Sequence, residues 1–361
     1  MTADDGALGW PGRTMHDPYP EDVMTGFRPT ALGWPRSQAD PVAASVPRGT
    51  QPADPPERQD HDVIAVAGAG DAAHDDRGDV PRETPSPTPD PVVDTRPPWS
   101  GTRIITVSNQ KGGVGKTTTT VNLAAAMAGS GLRVLVIDMD PQGNASTALS
   151  IPHTSGTLGI YDVLIDGVSL SDVVQPCPQV AGLLCAPATI DLAGAEIELV
   201  PLVARENRLR RALQAYLDDT DDPPDLVLID CPPSLGLLTV NAFVAARELL
   251  IPIQCEYYAL EGLSQLLKNV DLIQQHLNAE LAVSTILLTM FDGRTRLAAD
   301  VAEQVREHFG DRVLRTAIPR SVRISEAPSH GETVMTYDPT STGALSYAEA
   351  AAEMRRTKEI P

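Results

Sequence analysis

Apolar residues in this chain come in short unbroken runs separated by longer stretches of mixed polarity. Residues 103–109 (RIITVSN), 133–140 (RVLVIDMD), 183–188 (LLCAPA), 225–233 (DLVLIDCPP), 248–253 (ELLIPI), 282–290 (AVSTILLTM) and a stretch near 313–317 are aliphatic almost throughout. Continuous rather than alternating apolar character marks strands covered on both faces. Between these runs the spacing predicts helices over 117 to about 129, closed by Gly131, over about 237–246, about 258–277 and about 298–309. A further helical pattern runs from about 194 to 217, where Pro201 should bend or divide it. Such strands alternating with helices predict an α/β fold: a mostly parallel twisted sheet with helices on both faces. Ligands of such sheets bind at the carboxyl ends of the strands. Asp138, Asp140 and Asp230 fall at those ends.

The pattern is missing before residue 101. The first 100 residues hold 17 of the 32 prolines, all three tryptophans, no lysine, and acidic clusters such as HDDRGD at 74–79. That composition buries too little apolar surface to offset the entropy of ordering. Residues 1–100 are therefore expected to form a disordered, acidic tail, and residues 101–361 the folded domain. Within the tail, ALGWPGR at 7–13 returns as ALGWPRS at 31–37, as expected of a repeated linear docking motif that gains from effective concentration. The net charge of −20 argues against a molecule that coats nucleic acid with its whole surface, though not against one local basic face. Four cysteines without CxxC spacing, in a chain without a signal peptide, read as buried thiols of a reducing cytosol. No apolar run is long enough to span a membrane.

Only four lysines occur among 28 basic residues, and two of them, Lys111 and Lys116, frame one glycine-rich loop, VSNQKGGVGKTTTT at 107–120. A strand, a glycine-rich turn and a helix beginning KTT is a setting for phosphate: backbone N–H groups and the helix dipole face the anion. Gly112, Gly113 and Gly115 let the backbone approach without Cβ clashes, and Val114 and Thr118 complete the cradle. Lys116 is expected at the β/γ oxygens and the Thr117 hydroxyl at Mg²⁺. Gln110 stands where the usual pattern G-x-x-x-x-G-K-[ST] begins with glycine. Asp230, ending the strand at 225–230, would organise Mg²⁺ through water. Asp138 and Asp140 lie two apart on one face of an extended segment. One of them could stand near the metal while the other orients the attacking water, or one could serve only as a structural cap.

With KGGVGKTT, DMDPQGN, DCPPS and IPRSVRISEAPSHG (318–331) in that order, the chain from about residue 102 onward resembles the ParA/Soj family of partitioning ATPases, whose loop is a deviant Walker A motif. The resemblance implies a P-loop NTPase fold and a slow, partner-stimulated ATPase using ATP and Mg²⁺. It implies that Lys116 binds the β/γ phosphates, and that Lys111 crosses to the partner's nucleotide in an ATP-bound homodimer. Asp140 would position the hydrolytic water, Thr117 would ligate Mg²⁺, and Asp230 would supply the acidic end of the second phosphate-site strand. A ParB-like centromere-binding protein as partner, non-specific double-stranded DNA as ligand, and a cytoplasmic, nucleoid-associated location follow from the same resemblance. Arg294 and Arg323 match positions associated with DNA contact, and Arg320 is added as their neighbour. These belong to seven arginines set against five acids between 292 and 323. The tail lies outside the family pattern, and recruitment of a polar or septal scaffold is one role expected for it. Three other readings share the loop. A MinD-like ATPase positioning a membrane complex would need a basic amphipathic C-terminal helix, whereas YAEAAAEMRRTKEIP offers no bulky apolar face. A metallocluster carrier would need cysteine ligands, and a scaffold with a dead site would not need Lys116, Thr117, Asp140 and Asp230 intact.

Overall fold

A computed structural model describes residues 99–256 and 259–356. The strands are β1 (Arg103–Val107), β2 (Val134–Asp138), β3 (Gln175–Pro176), β4 (Leu183–Ala186), β5 (Leu226–Asp230), β6 (Glu248–Gln254), β7 (Ala282–Phe291) and β8 (Val313–Pro319). They form one sheet in the order β3-β4-β2-β5-β1-β6-β7-β8. All ladders are parallel except that of the two-residue β3 on β4. All but the last of the continuous apolar runs thus became interior strands, as expected of a sheet with both faces covered, and the run near 313–317 became the edge strand β8.

Successive side chains of β2 show how. Val134 and Val136 enter one core cluster, and Leu135 and Ile137 enter another on the opposite face. The first cluster is closed by α1 (Lys116–Gly129), α2 (Asn144–Ala148) and three C-terminal helices described below. The second is closed by α3 (Ile160–Ile165), α4 (Leu170–Val173), α5 (Leu192–Glu198), α6 (Arg208–Asp219) and α7 (Leu237–Ala245). A third cluster lies where α8 (Ala259–His276) and α9 (Arg296–Phe309) cover β6, β7 and β8.

The helical pattern at 194–217 is divided: α5 ends at Glu198, Pro201 lies in the turn that follows, and α6 begins at Arg208. The short helices α2, α3 and α4 have no counterpart in the sequence reading. Neither do α10 (Val322–Glu326), α11 (Val334–Tyr337) and α12 (Thr342–Arg356). Helix α12, from the alanine-rich end, packs against α1 and β8 and buries Tyr347 and Met354.

The expected disordered tail and its repeated ALGWP motif lie outside the described residues. Trp99, assigned to that tail by composition, instead packs against the first core cluster. Its indole N–H donates to the Asp225 carbonyl at 3.1 Å, and the Arg103 guanidinium stands 5.3 Å over its ring. Arg103 is itself buried, pairs in bidentate fashion with buried Glu248 of β6 at 2.5 and 2.7 Å, and donates to the Met354 carbonyl of α12.

Candidate functional site

The glycine loop joins β1 to α1 at the centre of the sheet, where β1 lies between β5 and β6. Gly113 and Gly115 have φ of +73° and +84°. Side chains rarely adopt that region, and a Cβ on Gly112 or Gly113 would meet only open space. Glycine at 113 and 115 is thus required by conformation, and around 112 and 113 the loop is an open cradle. Three contacts fix its shape. The Asn109 side chain accepts from the Lys111 backbone N–H at 3.0 Å and donates to the Pro252 carbonyl of β6 at 2.8 Å. The Thr289 hydroxyl of β7 donates to the Val114 carbonyl at 2.9 Å. Beside it Met290 holds a positive φ of 49°, strain of the kind concentrated at functional sites.

The two lysines have different surroundings. Lys116 is 7% exposed, and its ammonium donates to the Lys111 carbonyl at 3.5 Å. Burial lowers its pKa, opposed by the negative charges of Asp230 and Asp140. Lys111 sits on the rim, a third exposed, paired with Glu256 at 2.7 Å. The other Glu256 oxygen accepts from the Gln254 side chain.

Asp230, at the carboxyl end of β5, is fully buried and accepts from Thr117 at 2.7 Å and from Thr120 at 2.9 Å. Burial, and then the nearby Asp138 carboxylate, push its pKa up to about 8 against those two hydrogen bonds. The chain therefore brings the Asp230 and Asp140 carboxyls near one buried ammonium, with Asp138 beside Asp230. Among the described residues no group of three or more His, Cys, Asp or Glu could hold a metal ion.

Asp138 and Asp140 have different surroundings. Both oxygens of Asp138 are committed, accepting from the Ser146 N–H at 2.9 Å, the Ser146 hydroxyl at 2.7 Å and the Asp140 N–H at 3.2 Å. Through Ser146, Asp138 anchors α2. Asp140 is 8% exposed, accepts from the Gln142 N–H at 3.0 Å, and lies close enough for its charge to act on Lys116. Sequence reasoning missed Asn109, Thr120, Ser146, Glu256 and Thr289. The position of Thr120, one helical turn after Thr117, was the available signal for that residue.

Of the three arginines, the structure brings two together. The Arg320 N–H donates to the Phe291 carbonyl at 3.3 Å, which places it at the end of β7 beside the turn bearing Arg294. Arg294 is clamped on Asp292 at 2.9 and 2.8 Å, which holds that carboxyl down at about 2. Arg323 stands further on, in α10, shared between Glu326 at 3.2 Å and Asp338 at 3.4 Å. No helix among the described residues is long and apolar enough to cross a membrane.

Residues 102–283 match a family described as an AAA domain. The sporulation initiation inhibitor protein Soj of Bacillus subtilis (strain 168) is 53% identical over 252 residues, spanning 70% of this chain and 98% of that protein. The chromosome partitioning protein ParA of Myxococcus xanthus (strain DK1622) is 49% identical over 254 residues, spanning 70% and 88%. Among solved structures, cobyrinic acid a,c-diamide synthase from Mycobacterium smegmatis with bound ADP and magnesium superposes with a TM-score of 0.61. It is 35% identical, and the match covers 72% of this chain and 98% of that one.

Proposed function

The chain belongs to the ParA/Soj family of partitioning ATPases, and from that premise we propose that it is a nucleotide-gated dimer that holds DNA while ATP is bound and lets go on hydrolysis. ATP is the substrate and Mg²⁺ its counter-ion. Backbone N–H groups of residues 112–118 would receive the phosphates, Lys116 would neutralise the β/γ oxygens, and Thr117 and Asp230 would hold the ion. Mg²⁺, when bound, supplies charge neutralisation at the transferring phosphoryl group. Asp140 orients the attacking water, whereas Asp138 only holds the segment in place.

The observation that supports the dimer is the contrast between the lysines. Lys116 is buried in its own site, but Lys111 stands on the rim and is paired there with Glu256 of the same subunit. An ammonium held away from its own loop's phosphates is available to a neighbour's γ-phosphate, and its delivery in trans makes oligomeric state follow nucleotide state. The two-subunit assembly doubles the arginine face of Arg294, Arg320 and Arg323. Their carboxylate partners must be exchanged for DNA phosphates, so binding should be non-sequence-specific and strongly salt-dependent. A ParB-like centromere-binding protein stimulates hydrolysis and release. The working place is the cytoplasm, on the nucleoid, and the tail supplies a site for a polar or septal scaffold.

Co-sedimentation with double-stranded DNA tests the reading. ATP should bring wild-type protein down with DNA, and Lys111→Ala should abolish this while still binding ATP as a monomer. An ATP-saturated wild type that remains monomeric by light scattering, or a Lys111→Ala protein that still co-sediments, overturns it.

A further inference from the structure

Helix α5 carries apolar residues on its exposed side as well as its buried one, with Glu198 exposed beside Ile197. Leu192, Ala195 and Leu199 are buried in the second core cluster. On its other side Ile190, Ile197 and Val200 are 62%, 77% and 55% exposed, with Ala193 exposed between them. Backbone bonds from Leu192 N–H to the Thr189 carbonyl, from Val200 N–H to Ile197 and from Leu202 N–H to Leu199 continue the turns beyond both helix ends. Residues 190, 193, 197 and 200 therefore form one helical stripe. Val203, 91% exposed, follows in a turn closed by Ala204 at a positive φ of 52°. Contiguous exposed apolar surface marks an interaction site.

The position of the stripe indicates what covers it. Ile190 lies four residues past the carboxyl end of β4, on the same edge of the sheet as the nucleotide loop. The Ala188 N–H donates to the Ser146 hydroxyl, which in turn holds Asp138. From within α5, Glu196 accepts from the Leu237 and Leu238 N–H groups at 2.7 and 3.3 Å, closing the loop that leaves Asp230 and carries half-exposed Leu235. The stripe thus borders the surface that a second subunit must approach to deliver Lys111.

We infer that the face formed by Ile190, Ile197, Val200 and Val203 is buried against a second copy of this chain in the ATP-bound dimer. This rests on the dimer reading above and assigns it a surface. Lys111 supplies charge that depends on nucleotide, and the stripe supplies apolar area that does not. Tethering the stripe through Glu196 and Ser146 to the carboxylate-bearing segments keeps both parts in register.

The test uses the full chain carrying Ile197→Asp and Val200→Asp together, with Val203→Asp as a second variant. Both sites are exposed, so fluorescent ATP analogue binding and the thermal melt should match wild type. Sedimentation velocity with saturating ATP and Mg²⁺ should show dimerisation weakened at least about tenfold, as expected when central apolar contacts are replaced by charges. Lys111→Ala is run alongside. If wild type does not dimerise, the underlying reading fails. If wild type dimerises and Lys111→Ala does not, but both aspartate variants dimerise like wild type, the stripe proposal alone is overturned. Normal dimerisation with lost stimulation by a centromere-binding partner would likewise overturn it and give the surface to that partner.

Discussion

At the scale of single residues the site is set by unequal burial of like groups. Asp230 has no solvent access and two hydroxyl donors, and burial pushes its pKa up to about 8. The sign follows from linkage. An unfolded carboxyl titrates near pH ~4, so between that value and about 8 the folded state holds a proton that the unfolded state has released. This group's contribution to stability therefore declines as pH rises across the window. Asn at 230 keeps the shape, can accept from Thr120, and carries no charge. In metal- and nucleotide-free buffer, Asp230→Asn should melt higher than wild type, by roughly 3 °C or more at pH ~8, with the gap narrowing toward pH ~5. The same variant should lose the Mg²⁺-dependent part of its stabilisation by ATP. A gap that does not change with pH would show that Asp230 is not the strained group. In the sequence, Lys116 is placed by the loop pattern and Lys111 only by the family resemblance; in the structure Lys116 is buried and Lys111 a third exposed.

Elements show which parts of the architecture the sequence could carry. Interior strands were legible because burial on both faces leaves a continuous aliphatic run, and β2 and β5 closed on their carboxylates as read. Helices α2, α3, α4, α10 and α11 have four to six residues each, too short to establish a period. Helix α12 escaped notice for another reason. Its buried side is largely Gly343, Ala344, Ala350 and Ala351 around Tyr347, small residues that allow close packing on alanine-rich α1 and give little hydrophobic signal. The site's wiring was least legible, since it depends on contacts between elements distant in sequence, such as Thr289 with Val114 or Glu196 with Leu237. Glu196 carries a prediction at this scale. It supplies the N-terminal cap of α7, and a Cβ at Gly236 would fall 2.2 Å from its oxygen. Glu196→Ala should lower Tm by about 2–4 °C, the effect of losing roughly 1 kcal/mol of capping in a domain of this size. Glu196→Gln, which keeps an acceptor, should restore about half of that. Equal melting of the Ala variant and wild type would separate α5 mechanically from the loop after Asp230.

For the whole molecule, the tension lies between a charge of −20 and the proposed ligand, DNA, itself a polyanion. The charge is unevenly placed: 17 of the 48 acidic residues, but only 8 of the 28 basic ones, precede residue 101. Almost half of the net negative charge therefore belongs to the tail, which adds repulsion without adding to the arginine face. Fields from exposed charges fade over about 10 Å at ~0.1 M salt, so the penalty should be largest in dilute buffer. Removing residues 1–98, and leaving Trp99 and Arg103 to hold the start of β1, should strengthen ATP-dependent DNA binding several-fold at ~0.05 M salt. The two proteins should converge as salt rises, with the same dependence on Lys111. The slope of log affinity against log salt reports phosphates contacted, so it should steepen little, because the arginines proposed to make the contacts are untouched. Competition binding across a salt series checks this. A truncated protein that binds more weakly than the full chain at low salt would instead make the tail a contributor to the DNA-bound state.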